Sequence, residues 1–119
     1  MASLDVESLT LDGKNKTTVL CSRCPSKILC PQVGTYVVKE FSLPSMHHKT
    51  EGETDTAEDV KDYWQVNDMY HFENIGFSKT IDDRKYLICA DCEIGPVGWH
   101  DLNTKMNYLA LSRVKHTDV

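Results

Sequence analysis

The sequence predicts a single, mainly β domain: short antiparallel strands closed by a cysteine-bound metal, with a long mobile acidic loop. Three observations carry that expectation. β-Branched and aromatic runs recur at short intervals, and no segment keeps a capped 3.6-residue apolar period. Two Cys-x-x-Cys pairs each follow directly on an apolar run. At 119 residues and 40% hydrophobic content, the chain has room for one core and is too apolar to be wholly disordered.

Residues 1–16 lack apolar periodicity and read as a flexible N-terminal arm, leaving 17–119 as the domain. Thr17-Thr-Val-Leu20 is a short strand that runs into Cys21. Gly34 to Phe41 is a second strand, bounded by Pro31 and Gly34 and ended at Leu43-Pro44. Ser45 to Lys61 is rich in Thr, Glu, Asp and Gly and has no aromatic residue, so burial cannot offset the entropy of ordering it. An exposed mobile loop is expected there, with a short helical turn around Asp55 to Val60 as the alternative. Tyr63 to Val66 restores strand character, followed by an aromatic stretch from Met69 to Phe77 that Asn74-Ile75-Gly76 interrupts with a turn or bulge. Lys85 to Cys89, Val97 to His100 and Tyr108 to Val114 are further strands. Trp64 and Trp99 are expected in the core.

Composition excludes several functions. The net charge of −5 is concentrated between Lys49 and Asp62, where six carboxylates face two lysines. No basic cluster is available to neutralise phosphates, which disfavours a nucleic-acid partner. Apolar runs are too short to insert in a membrane. Met1 to Thr10 carries Asp5 and Glu7 where an export signal needs a basic then apolar stretch. Ala2 stands where N-myristoylation needs glycine. A cytosolic location is expected, and nothing in the sequence demands more than a monomer.

Cys21-Ser-Arg-Cys24 and Cys89-Ala-Asp-Cys92 have the spacing of two zinc knuckles, in which a tight turn puts both thiolates on one ion. Disulfides are disfavoured in a reducing cytosol, and a redox Cys-x-x-Cys occurs singly, at a helix start. Sixty-four residues separate the pairs, against about 15–20 in a zinc ribbon. Closing that loop costs about 4 kcal/mol. Structural zinc supplies roughly 10–16 kcal/mol, so the ion wins. One structural Zn²⁺ on Cys21, Cys24, Cys89 and Cys92 would hold the fold and leave no coordination position open for chemistry. Cys30 is left over and reads as a buried or half-buried thiol. His47 and His48 beside the acidic loop read as solvent-facing, and His71, His100 and His116 are given no role.

Cys89 to His100 (Cys-Ala-Asp-Cys-Glu-Ile-Gly-Pro-Val-Gly-Trp-His) resembles the second zinc knuckle of the mammalian suppressor-of-sec family of Rab-interacting factors. Val19 to Cys24, Phe41 to Met46 and Asn67 to Lys79 resemble the same family, so the likeness runs from about Val19 to Val114 with the acidic loop as its gap. The resemblance implies a β-tent fold with a Cys₄ zinc site. It also implies binding to Rab GTPases of the exocytic pathway, preferentially nucleotide-free, as exchange factor and chaperone in vesicular transport. Carried onto this chain, the Rab-facing surface comprises Asp91 and Glu93 with Asp68, Met69, Tyr70, Phe72, Glu73, Asn74 and Phe77.

The residues alone support such a surface, since a metal-stiffened turn presents carboxylates at low entropic cost beside apolar side chains. They equally permit Asp91 to cap its own turn by accepting backbone N–H bonds, with Phe72 and Phe77 in the core. Two rival functions remain at this point. Methionine sulfoxide reductases of the B type share the β-tent but need a nucleophilic cysteine late in the chain, whereas the spare thiol is the early Cys30. The other rival is a zinc-stabilised adaptor that binds protein without promoting exchange.

Overall fold

Tyr63 and Trp64 are chain neighbours on one strand, and both are fully buried. Successive strand residues point to opposite faces, so the sheet that contains them is covered on both sides. This computed structural model describes residues 9–24, 26–44, 47–48, 57–68, 71–77 and 83–116. In chain order the strands are β1 (Thr10–Leu11), β2 (Lys14–Asn15), β3 (Val19–Cys21), β4 (Lys27–Leu29), β5 (Thr35–Pro44), β6 (His47–His48) and β7 (Ala57–Val66). They continue with β8 (Ile75–Phe77), β9 (Arg84–Cys89), β10 (Ile94–Gly95), β11 (Gly98–Asp101), β12 (Asn107–Ala110) and β13 (Val114–His116). A 3-10 turn at Leu111–Arg113 joins the last two. The mainly β, antiparallel fold class expected from the sequence is what the chain adopts.

The main sheet has eight strands in the order β1-β2-β5-β7-β12-β11-β9-β8. A second sheet, β13-β3-β4, carries the first cysteine pair and packs on one face of the main sheet. Between them lie Val19, Ile28 and Leu29 from the small sheet and Trp64, Leu87 and Leu109 from the large one. The opposite face is aromatic. Phe41 stacks on Trp99 at 4.1 Å, Trp99 stacks on Tyr108 at 4.7 Å, and Tyr63 meets Tyr108 edge-on. Lys39 and Arg84 lie over these rings, their charged groups 5.2 Å from the Tyr108 centroid and 4.7 Å from the Phe41 centroid. Gly98 sits mid-sheet on β11, where a Cβ would strike the Tyr108 carbonyl and lie 2.9 Å from Leu109 Cα. Trp64 and Trp99 are core residues, as expected.

Three expectations need correction. Residues 9–16 are not a free arm: β1 and β2 form a two-residue hairpin whose turn, Asp12-Gly13, has φ of 55° and 80°. Asp-Gly with both φ positive is a type I′ turn, which needs no apolar periodicity to form. Asn15 anchors it, fully buried, with Nδ2 donating to the Thr17 and Cys30 carbonyls at 2.9 Å and Oδ1 accepting from Gly34 N–H at 2.7 Å. Second, residues 57–61 belong to β7 rather than to the acidic loop or a helical turn. The reason is pairing: β5 runs on to Pro44, and Val60 and Leu43 are both buried across that ladder. A bulge places Lys39 and Glu40 opposite Lys61 and bends the pair there. Third, the strand expected from Tyr108 to Val114 is broken by the 3-10 turn, because Leu111 and Arg113 both point inward. Expectations for residues 1–8, 45–46 and 49–56 lie outside the described residues.

His116 on β13 accepts the Trp64 indole N–H at 3.0 Å, and burial lowers its pKa from the ordinary 6.5. The folded state therefore favours the neutral ring while the unfolded chain takes up a proton. Stability is constant above the unfolded pKa and falls as pH drops below it, with a slope approaching about 1.4 kcal/mol per unit. The difference in urea midpoint between wild type and His116→Phe should shrink as pH falls from about 6.5 to 5. Asn15→Ala strands three backbone groups, two of them in buried hydrogen bonds, and should cost about 2–4 kcal/mol in the same measurement.

Candidate functional site

Each cysteine pair sits at the end of a strand whose neighbours fix it. Cys21 ends β3, opposite Val114 on β13, and its N–H donates to the Ser26 carbonyl at 2.9 Å, closing the first turn. Arg23 N–H reaches back to Cys21 Sγ at 3.3 Å. Cys89 ends β9 opposite Ile75, and its carbonyl accepts from Glu93 N–H at 2.9 Å, closing the second turn. That closure puts Glu93 at a φ of 59°, a left-handed conformation that costs a residue with a Cβ roughly 1–2 kcal/mol.

The two turns bring Cys21, Cys24, Cys89 and Cys92 together, with all four Sγ atoms within 4.8 Å of one another. Cys21 to Cys92 and Cys24 to Cys89 are each 3.6 Å apart. Disulfide sulfurs would lie about 2.0 Å apart, so these are four free thiols. A tetrahedral ion with metal–sulfur bonds of about 2.3 Å has sulfur–sulfur edges of about 3.8 Å, and the cluster is close to that shape. The residues present fit a metal.

Burial sets the proton affinity of the thiols. It pushes Cys92 up to about 12 and raises Cys89 as well, because a desolvated thiolate is disfavoured. Cys24 moves the other way, to about 7, chiefly through its hydrogen bond with the Ser26 hydroxyl. Ser26 also donates to the Asp91 carboxylate, so it links the first turn to the second. Asp91 thus meets the opposite turn, and not the backbone N–H groups of its own.

The aromatic–acidic segment lies directly against this centre. Ala90 N–H donates to the Asn74 carbonyl and Glu73 N–H to the Ile28 carbonyl, both at 2.8 Å. Asn74 Nδ2 donates to the Lys27 carbonyl at 2.9 Å. Asp68, Glu73, Asn74 and Asp91 are exposed, and Glu93 is half-buried. Phe72 and Phe77 are half-buried against the core between the sheets, so each serves packing while keeping an exposed edge. Met69 and Tyr70 lie outside the described residues. The leftover Cys30 corrects its expectation: it is exposed, with its thiol 3.5 Å from the Glu73 carboxylate, which also lies 4.0 Å from Lys27 Nζ. The β4–β5 turn explains this, since Asn15 draws the Cys30 carbonyl inward and leaves the side chain outside.

Sequence reasoning missed Ser26, although it stands two residues past Cys24, and it missed Arg113. The Arg113 side chain is buried and donates to the Pro96 carbonyl at 2.9 Å and the Leu43 carbonyl at 3.4 Å, steadying the chain after the second turn. His47–His48 also borders the centre, through backbone pairing with Ile94–Gly95.

Compared with known proteins, residues 14–116 match the family model described as Mss4 protein. A relative from Drosophila melanogaster, named "Guanine nucleotide exchange factor MSS4 homolog", is 51% identical over 116 residues, covering 96% of this chain and 95% of its own. One of the same name from Schizosaccharomyces pombe is 32% identical over 101 residues, covering 82% of this chain and 95% of its own.

Metal binding must displace the protons that burial keeps on Cys89 and Cys92. Titrating metal-free protein at pH 7 in buffers of different ionisation enthalpy should show release of roughly two or more protons per ion. Affinity should weaken steadily on acidification. Binding without proton release would mean that these thiols do not ligate the ion.

Proposed function

The chain belongs to the Mss4 family, and from that premise we propose that it is a zinc-stabilised guanine nucleotide exchange factor for Rab GTPases of the exocytic pathway. It acts in the cytosol on the nucleotide-free or nucleotide-releasing state of its partner, as exchange factor and chaperone. The proposal makes it a regulator and not a catalyst of covalent chemistry. The observation that carries this reading is the contiguity of the second cysteine turn with the segment Asp68 to Phe77, through the bond of Ala90 to Asn74 and the pairing of Ile75 with Cys89. Asp91, Glu73 and Asp68 are exposed and Phe72 and Phe77 half-buried, which supports reading them as parts of one docking surface.

Zinc is the ion favoured by four thiolates in a tetrahedron. Cys21, Cys24, Cys89 and Cys92 would hold it, and it would supply rigidity only, since every coordination position is a protein sulfur. A stiff acidic turn loses little conformational freedom on docking. It suits a partner groove that is basic and apolar, such as a GTPase exposes when its phosphate-binding loop is empty.

Magnitudes limit how exchange works. A nucleotide held at nanomolar to picomolar affinity contributes roughly 12–16 kcal/mol. A protein that binds only the empty state opposes that by favouring a conformation in which the phosphate cradle is distorted. Electrostatics would set recognition and association rate, and the apolar edges would set residence time.

The test combines labelled-GDP release with capture of nucleotide-free GTPase, using protein of verified metal content. Wild type should accelerate release from at least one exocytic Rab and retain that Rab when nucleotide is stripped. Asp91→Ala should weaken capture by about tenfold or more while keeping its metal. Ser26→Ala removes the link to Asp91 but leaves the carboxylate, and should bind nearly as wild type. If Ser26→Ala and Asp91→Ala fail equally, Asp91 only braces the turn. If no Rab responds to wild type, the exchange reading is wrong.

A further inference from the structure

Along the core-facing side of the main sheet, one rung departs from the pattern of the rest. Leu109, Gly98, Leu87 and Phe77 are cross-strand partners across four strands, an apolar row that lies under the small sheet. Two residues further along, the strand period returns to the same face, and the partners there are Asn107, His100 and Lys85. Alternation alone would make this second row apolar too. Instead His100 and Lys85 of this row line a cleft of about 470 Å³ together with Asn67, Asp68, Phe77, Leu102 and Lys105, while Asn107 is buried behind them. That volume is within the range that holds small organic ligands.

The polar atoms of the row can be assigned. Asn107 Nδ2 donates to the Val66 carbonyl at 3.0 Å, so its Oδ1 is the atom 2.7 Å from His100 Nδ1. An amide oxygen only accepts, which fixes the proton on Nδ1. In the tautomer with that proton Nε2 is an acceptor, and among the described residues none donates to it. His100 is only 6% exposed, so this is a buried, oriented imidazole and not a surface side chain. Phe77 packs edge-on against the ring at 5.7 Å. Among the described residues neither Lys85 nor Lys105 has a carboxylate partner within 4.0 Å, so both ammonium groups are available.

We propose that this cleft binds a small soluble phosphate ester. Lys85 and Lys105 would take the phosphoryl group as paired point charges. A hydroxyl on the ester would donate to His100 Nε2, and Phe77 and Leu102 would flank its carbon skeleton. The cleft shares Asp68 and Phe77 with the docking surface proposed above, but the inference does not rest on that reading, since it concerns binding by the protein alone.

The test uses the full, metal-loaded chain with no GTPase present. Two-dimensional NMR titrations compare glycerol 3-phosphate, inorganic phosphate and sodium chloride at matched ionic strength. Glycerol 3-phosphate should give saturable shifts centred on residues 85, 100 and 105 and bind more tightly than inorganic phosphate. The double variant Lys85→Gln, Lys105→Gln should lose affinity by about tenfold or more. Unchanged chemical shifts elsewhere in the variant show that it folds. No saturable response, a response equal to that of chloride, equal binding of ester and inorganic phosphate, or binding that survives the double substitution overturns the proposal. Should anionic lipid vesicles bind while glycerol 3-phosphate does not, the soluble ester is excluded.

Discussion

Four sulfurs drawn from turns sixty-four residues apart hold the arrangement on which the rest of the molecule depends. Most of the main sheet lies within the loop they close, and each turn hangs on a strand of a different sheet. The small sheet has only three short strands, and β13 supplies one of them, so its independent stability is slight. Without a shared ion, the Ser26–Asp91 link and the hydrogen bonds of Glu73 and Asn74 to β4 and to Ala90 would tie the two turns together. With it, four protein ligands replace a loose hydrogen-bonded cluster.

The cysteine pairs were legible because metal chemistry constrains spacing directly and needs no context. The strands were legible wherever β-branched and aromatic residues meet, as at Tyr63 to Val66 and Lys85 to Cys89. What stayed hidden depends on partners distant in sequence. Nothing local in Ala57 to Lys61 marks a strand; the ladder from β5 creates it. Asn15 is an ordinary polar residue until three backbone groups converge on it. His100 gains significance only when Asn107 fixes its tautomer. The Asp12-Gly13 hairpin is encoded by turn chemistry, which leaves no trace in apolar periodicity.

The two faces of the main sheet divide the work. The metal side carries the acidic turn, the exposed carboxylates and the cleft. The aromatic side is closed by Phe41, Trp99 and Tyr108 with Lys39 and Arg84 laid across them, so cations lie where apolar rings would otherwise meet water. The exposed carboxylates beside the cysteine turns are therefore kept off the face that bears those cations.

The sulfur cluster also has a temporal meaning. During translation Cys21 and Cys24 emerge with only half of their coordination shell, and β3 emerges without the β13 neighbour that later flanks it. At about 5–20 residues per second, several seconds pass before the ribosome delivers Cys89 and Cys92. In that interval the nascent thiols are open to oxidants and to competing ions, and the long-range β pairing cannot begin in earnest. Maturation of this protein is thus tied to the emergence of its second cysteine pair, which makes a holding chaperone or a metal-delivery step most useful until then.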